Sequence, residues 1–192
     1  MNPSLITPPS VEPLSLSEVK LHLRVDLAED DAKLLALISA ARQYAEQECQ
    51  RSLITQQWRL VLDCFPGCCA AVQLDRNPVQ SVESIQYLDT GAVWQTMPST
   101  DWVTELQSEP ARITPVFGKI WPISLPQIGA VKINFTAGYG NATDVPQGIK
   151  AWMLIRIADL YENRQSEEVS RGNQIKWSYI DRLLDPYRVV TL

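Results

Sequence analysis

The sequence predicts an α+β protein: a mainly helical body of about four helices, with a β-rich insertion between the second and third helices. Apolar residues recur at three- and four-residue steps near both ends of the chain, but they alternate with a period of two in the middle. We expect one domain over residues 1–192, with N-terminal helices in 14–50, the insertion in 53–137, and C-terminal helices and a tail in 146–192.

The first helix is predicted from a capping box that follows about twelve proline-rich, extended residues. Ser15 is the expected N-cap and Glu18 lies three residues later, so each side chain can accept a hydrogen bond from the other's backbone N–H. Leu14 and Val19 stand where a hydrophobic staple would close. This helix is expected to reach about Leu23.

The second helix is predicted to begin at an acidic cluster and to run to about Gln50. Its apolar residues recur at helical steps: Leu34, Leu37, Ile38, Ala41, Ala45 and Cys49. Carboxylates at a helix start suit the helix dipole. We therefore interpret Asp30 and Asp31 as caps rather than as paired catalytic acids.

The middle of the chain predicts strands and two hairpins. Residues 57–62 and 130–135 alternate as strands do, and residues 84–88 and 92–95 flank an Asp-Thr-Gly turn. A second hairpin is expected from residues 102–106 and 111–114, on either side of a Ser-Glu-Pro turn.

The third helix is predicted from Pro146, a favourable first helical residue, to Arg164. It is apolar on all sides, with Ile149, Trp152, Met153, Ile157, Leu160 and Tyr161 on one face and Leu154, Ile155 and Ala158 on the other. Such a helix is either central to a core or covered by a partner. A polar loop, a short helix over about 175–184 and a tail are expected to follow.

Composition excludes several classes of protein. No run of about 18 apolar residues is long enough to span a membrane. The N-terminus lacks the features of a signal peptide, which predicts a cytoplasmic protein. The net charge is −5 and the basic residues are scattered, which argues against binding to nucleic acid through its phosphates.

The four cysteines are expected to be free thiols rather than metal ligands. They are Cys49, Cys64, Cys68 and Cys69. Adjacent cysteines are poor ligands for a tetrahedral zinc site, and the one histidine, His22, is distant in sequence. We expect His22 to be a surface or packing residue.

The segment FTAGYGNATDVP at residues 135–146 has the order strand, glycine pair and helix start that phosphate-binding loops share. It lacks the lysine of a P-loop and the third glycine of a dinucleotide fingerprint. We interpret it as a turn whose glycines supply positive φ. No nucleophile elbow or zinc-protease motif is present either. The sequence thus predicts no catalytic residue, metal or cofactor, and its six tryptophans are expected in the core or in interfaces.

Several short segments, taken together and in order, resemble one known family. They are SLSEVKLHLRVD (15–26), EDD (29–31), ISAAR (38–42), RSLITQQW (51–58), DCFP (63–66), YLD (87–89), ARI (111–113), WP (121–122), TAGYG (136–140), VP (145–146), YENR (161–164) and LDPYR (184–188). The chain resembles the head–tail connector (adaptor) proteins of long-tailed bacteriophages and prophages, which are often described as DNA-packaging proteins.

The resemblance implies a structural, non-catalytic virion protein. It implies a ring of about a dozen subunits beneath the portal, joined to a downstream neck or tail protein, with the genome passing through without specific binding. Assembly would occur in the host cytoplasm and the mature location would be the virion neck. A ring subunit needs two different complementary faces, and the apolar third helix is a candidate for one. The predicted interface comprises Trp152, Ile157, Leu160, Tyr161, Arg164, Tyr187 and Arg188.

Three alternatives stay open at this point. They are a neck or tail-completion protein that docks elsewhere in the virion, a small cytoplasmic enzyme with an unrecognised site near Asp30, and a nucleic-acid-binding packaging factor. The acidic net charge disfavours the last.

Overall fold

A computed structural model describes residues 3–67, 70–162 and 180–189, and these fall into two compact units. The β unit is built mainly from Thr55–Tyr139, together with the N-terminal strand. The helical unit combines Ser10–Ile54 with Gly140–Arg188. The mixed α+β class is therefore confirmed.

The β unit contains two antiparallel sheets. Its strands are β1 Ser4–Thr7, β2 Gln56–Leu62, β3 Val72–Leu74, β4 Val79–Leu88, β5 Trp94–Thr96, β6 Trp102–Glu105, β7 Ala111–Pro115 and β8 Val131–Ala137. The first sheet has the order β1-β2-β8-β4-β5, and the second has the order β3-β7-β6. Both predicted hairpins are confirmed, as β4 pairs with β5 and β6 with β7.

The core of the β unit lies against alternate residues of β8. Val131, Ile133, Phe135 and Ala137 are all fully buried, while the residues between them are half-buried. This period of two follows from the strand pleat, which points successive side chains to opposite faces. The register sets Ile133 opposite Leu60 on one side and Ile85 on the other.

Strand β4 begins at Val79, five residues before the predicted start at Ser84. Its pairing with β8 shifts register between Val79 and Ser81 and again between Val82 and Ser84. Bulges insert residues that break the period of two. The sequence pattern therefore shows only the regular second half of the strand.

The helical unit contains α1 Leu16–Leu23, α2 Asp31–Cys49 and α3 Gln147–Glu162. These bounds agree with the predicted helices to within one or two residues, although Arg164 lies outside the described residues. Half of the short helix predicted over 175–184, residues 175–179, lies outside them as well. Within the described part, Asp181–Leu183 and Asp185–Tyr187 form 3-10 turns.

The predicted capping box of α1 is confirmed. The Ser15 N–H donates to Glu18 Oε2 at 2.7 Å, and the Glu18 N–H donates to Ser15 Oγ at 3.2 Å. Leu14 and Val19 are both buried, as a hydrophobic staple requires.

The predicted caps of α2 are wrong in their chemistry. Asp30 is the N-cap residue, but its side chain makes no capping hydrogen bond. Its backbone is near-helical, with φ −91° and ψ −1°, rather than extended as a side-chain cap requires. Asp30 instead accepts a hydrogen bond from the Tyr161 hydroxyl, and Asp31 pairs with Lys20 at 2.5 Å.

We expect the same substitution to have a large effect on stability at one isoleucine of the β unit and almost none at another. Ile133 is 0% exposed, whereas Ile128 is 88% exposed. Ile133→Ala should lower the free energy of unfolding by about 2–5 kcal/mol, because it leaves a cavity in the core. Ile128→Ala should change it by less than about 0.5 kcal/mol. Urea unfolding of both variants checks this, and equal losses would contradict the assigned core.

The capping box also predicts a pH dependence. Hydrogen bonds from the Ser15 side chain and backbone hold the pKa of Glu18 below its ordinary value. A carboxylate with a lowered pKa stabilises the fold above its unfolded pKa, and this contribution is lost as the pH falls through the folded pKa. Glu18→Gln should therefore cost about 0.5 kcal/mol at pH 7 and nothing in strong acid. Urea titrations at both pH values test this, and a cost independent of pH would contradict it.

Candidate assembly surfaces

Two of the predicted interface residues, Trp152 and Ile157, lie in the core of the helical unit. The Trp152 side chain is fully buried, and its indole stacks on Tyr44 with ring centroids 5.5 Å apart. Its Nε1–H donates to Asp181 Oδ1 at 3.1 Å. Trp152 thus ties α3 to α2 and to the C-terminal turns of the same chain. The interface prediction for α3 now rests on its remaining residues.

Leu160 and Tyr161 are half-buried at the C-terminal part of α3. The Tyr161 hydroxyl donates to Asp30 Oδ2 at 2.5 Å, and Lys33 Nζ lies 4.8 Å from the centroid of the tyrosine ring. On the other face of α3, Leu154, Ile155 and Ala158 are also half-buried. The helix therefore keeps some apolar surface accessible on two faces.

The C-terminal turns are held against α2 and α3 at Tyr187 and Arg188. Arg51 Nε donates to the Tyr187 carbonyl at 2.5 Å, and a Cβ on Gly148 would meet the Tyr187 hydroxyl at 2.8 Å. The exposed Arg188 guanidinium pairs with Glu48 at 3.1 Å and with Asp185 at 3.3 Å. Close contact at Gly148 fixes where the tyrosine ring packs.

A buried polar network lies beside these residues in the helical unit. The Arg42 guanidinium donates to Glu12 at 2.8 Å and to Glu46 at 2.9 Å. The other Glu46 oxygen accepts the Leu53 N–H at 2.9 Å. Buried charges are stable only when they are paired and hydrogen-bonded. This network joins α2 to the segment before α1 and to the segment after α2, and it has the character of a structural contact.

The glycine pair of the segment 135–146 forms a turn, as predicted. Gly138 and Gly140 have φ of 138° and 127°, a region that favours glycine. Asp144 Oδ2 accepts the Asn141 N–H at 2.9 Å and would lie 2.7 Å from a Cβ on Gly140. A carboxylate therefore occupies the turn where a phosphate-binding loop would hold an anion.

The described thiols and the histidine belong to no cluster of potential metal ligands. Burial raises the pKa of the Cys49 thiol to about 11, and Cys64 is exposed. Both are free, His22 is exposed on α1, and Cys68 and Cys69 lie outside the described residues. Within the residues that the structure describes, no group of three potential metal ligands comes together. No helix among them is long and apolar enough to cross a membrane.

Sequence reasoning missed one surface, the segment 116–129 between β7 and β8, which we name the apolar loop. Four of its large apolar side chains are exposed to solvent: Phe117 is 103% exposed, Ile120 63%, Ile123 79% and Ile128 88%. Glycines and prolines interrupt the segment, so no period shows which side chains are buried. The only available signal is the density of large apolar residues in a stretch that cannot form a helix or strand.

The apolar loop is nevertheless anchored within the β unit. Trp121 is buried, stacks on Phe65 with ring centroids 4.7 Å apart, and donates its Nε1–H to the Ala70 carbonyl at 2.9 Å. The Leu125 N–H donates to the Leu88 carbonyl at 2.8 Å, and the Gly129 N–H donates to Asp63 at 2.9 Å. The exposed side chains thus project from a held backbone.

The sequence comparisons find one family model that matches the N-terminal part of the chain. Residues 13–87 match the family model described as "Phage gp6-like head-tail connector protein". This match covers less than half of the chain. The match includes α1, α2 and the first strands of the β unit, and it confirms the resemblance seen in the sequence. No curated protein matches the chain.

Solved structures share the fold over the whole chain. A chain in the neck of an empty GTA particle, computed with C6 symmetry, has a TM-score of 0.81 and 23% identity. A chain in the virion of a native gene transfer agent particle has a TM-score of 0.81 and 24% identity. A chain in the neck of the native particle, computed with C12 symmetry, has a TM-score of 0.78 and 24% identity. Each alignment covers 100% of this chain and 97% of the other.

The family match confirms the function class as well. The protein is a structural head–tail connector and not an enzyme, because the family it matches is one of connector proteins. The unrecognised enzyme that the sequence left open is thereby set aside. The interface prediction remains a prediction, and the structure shows which of its residues already have partners within the chain.

We predict that Tyr161 and Asp30 stabilise the helical unit as a coupled pair. Tyr161→Phe removes a hydrogen bond to a carboxylate and should lower the free energy of unfolding by about 1.5–3 kcal/mol. Asp30→Ala should remove the same contact, so the double variant should cost clearly less than the sum of the two. Urea unfolding of the two single variants and the double variant measures this coupling, and strictly additive losses would rule it out.

Proposed function

We propose that the chain is the adaptor subunit of a virion neck. In this role it forms a ring of about a dozen copies beneath the portal, joins the head to the tail, and continues the DNA channel after genome packaging. The observation that carries the proposal is the agreement of two findings. The N-terminal part matches connector proteins, and the whole fold is similar to neck chains in particles computed with C6 and C12 symmetry.

A ring of identical subunits suits the surfaces of this chain. Closed cyclic rings repeat one head-to-tail contact, so each subunit needs two different and complementary faces. The half-buried faces of α3 and the C-terminal turn around Tyr187 and Arg188 are candidates for one face. Leu160 and Tyr161 stay in this proposed interface, and Arg164 completes it by sequence.

The charge of the protein suits a channel through which DNA moves. A protein that binds DNA strongly neutralises its phosphates with lysine and arginine. Here the formal net charge is −5. Several basic side chains are already paired, such as Lys20 with Asp31 and Arg112 with Glu105. The genome would therefore pass without specific binding.

We propose the portal and a downstream neck or tail protein as the partners on the two sides of the ring. Assembly would take place in the host cytoplasm, and the finished ring would lie in the virion neck. The 192 residues would act as a single connector domain. In that domain the β-rich region 53–137 is an insertion between the second and third helices of a helical body.

A neck or tail-completion protein that docks elsewhere in the virion is the second candidate. The observation that favours it is that the similar chains are described only as lying in a neck or a virion, which does not by itself imply contact with the portal. The two candidates differ in their partner, because only an adaptor binds the portal.

The test is the mass of the assembled protein, measured by light scattering alone and after mixing with purified portal rings from the same phage or prophage. We expect either a ring of about a dozen subunits alone or comigration with the portal, as for the symmetric necks. An unrelated phage's portal serves as the control for non-specific association. A monomer that ignores its own portal would refute the adaptor and favour the tail-completion protein.

A further inference from the structure

We propose that the apolar loop of one copy docks on the α1–α2 hairpin (residues 16–49) of the next copy in the ring. The loop carries Phe117, Ile120, Ile123 and Ile128, and the hairpin carries Leu21, Leu27 and Leu35. This inference rests on the proposed ring and adds one contact between its neighbouring copies. The loop and the hairpin are two different surfaces of the chain, as a head-to-tail contact requires.

The exposed apolar area of the loop is comparable to the largest apolar patch of a typical soluble monomer. Its four side chains present roughly 500 Å² of apolar surface, if a large apolar side chain presents about 150 Å². The largest apolar patch on a soluble monomer is about 300–600 Å², and it often has a function. Covered by a similar area of a neighbour, the contact reaches about 1,000 Å², the lower bound for a specific interface.

The chemistry of the loop excludes DNA as its occupant. From Val116 to Ala130 the segment carries one charged residue, Lys119, and this amine contacts the Asp101 carboxylate. Phosphates are held by free lysine and arginine side chains. Four aliphatic and aromatic side chains around one paired lysine instead fit an apolar protein surface.

A second copy of this chain supplies such a surface. On the α1–α2 hairpin, Leu21 is 82% exposed, Leu27 67% and Leu35 51%. The exposed carboxylates of Asp26 and Glu29 flank Leu27, whereas the apolar loop contains no acidic residue. Docking the loop there buries apolar surface on both partners and brings no carboxylates together. The cyclic symmetry of the similar necks also indicates that each copy repeats one contact with the next.

The loop is organised for binding before it meets a partner. Trp121 fixes its centre by stacking on Phe65, and backbone hydrogen bonds fix its C-terminal half at Leu125 and Gly129. Docking therefore fixes few additional rotatable bonds of the loop. A held loop loses less conformational entropy on binding than a mobile one.

The experiment compares ring formation by charge-introducing variants with that of the wild-type protein, alone and on portal rings. Phe117→Asp and Ile123→Asp should raise the concentration for half-maximal ring formation by about tenfold or more, because each buries an unpaired charge. Leu27→Asp should do the same from the other side of the contact. Val103→Asp changes an equally apolar, 52% exposed residue outside both surfaces and should leave ring formation unchanged.

A charge swap supplies the specific test. Phe117→Asp combined with Leu27→Lys should recover much of the lost assembly, because the substituted side chains then attract each other across the contact. Thermal unfolding of each isolated variant should stay close to wild type, since all the substituted residues are solvent-exposed in the single chain. A variant that fails to fold is replaced by the milder Phe117→Ser or Leu27→Ser, for which a smaller shift in the same direction is expected.

Several outcomes would overturn the inference. If Phe117→Asp and Ile123→Asp form rings as readily as the wild-type protein, the loop is not part of the contact. If Leu27→Asp does so, the hairpin is not the site on which the loop docks. Intact rings that no longer bind the portal would assign the loop to the portal. An equal loss of ring formation in Val103→Asp would show that a new charge anywhere on the surface weakens assembly, and it would refute the specific contact. No ring from the wild-type protein, alone or on the portal, would refute the proposed function itself.

Discussion

Strand β8 is hydrogen-bonded along its length to β2 on one side and to β4 on the other. Its inward residues are fully buried, so its position sets the register of the whole five-stranded sheet. A shift of one residue would exchange its core face for its outer face. The segment that precedes β8 is the apolar loop, and the contacts that hold this loop end on Leu88 of β4 and on Asp63 just after β2. The placement of the exposed surface therefore depends on this pairing.

The helical unit is organised differently, around side-chain contacts rather than a ladder. Trp152 joins α3 to α2 and to the C-terminal turns, and the buried Arg42 and Glu46 secure the segments on either side of α2. The contacts of Trp152 with Tyr44 and Asp181 join residues far apart in sequence. For this reason Trp152, which the sequence pattern of α3 makes a candidate for contact with a partner, packs within its own chain.

Much of the fold follows from local signals in the sequence. The Ser15 and Glu18 pair identifies the start of α1, and the period of two identifies β2 and β8. Other features depend on geometry that no local pattern carries. The sequence shows a carboxylate at position 30 but not the backbone angle that turns it away from the helix N–H groups. Likewise, nothing local distinguishes the buried Trp121 from the exposed Ile120 and Ile123 beside it. The burial of Trp152 equally requires knowing which elements surround it.

The exposed side chains of the apolar loop have a consequence for the newly made protein. Until it is incorporated into a ring, each free subunit exposes an apolar surface that can bind other apolar surfaces. Such exposed surfaces promote aggregation. Synthesis that outruns incorporation would therefore waste subunits as insoluble material. The yield of completed particles is then set by the timing of production as well as by the strength of the final contacts.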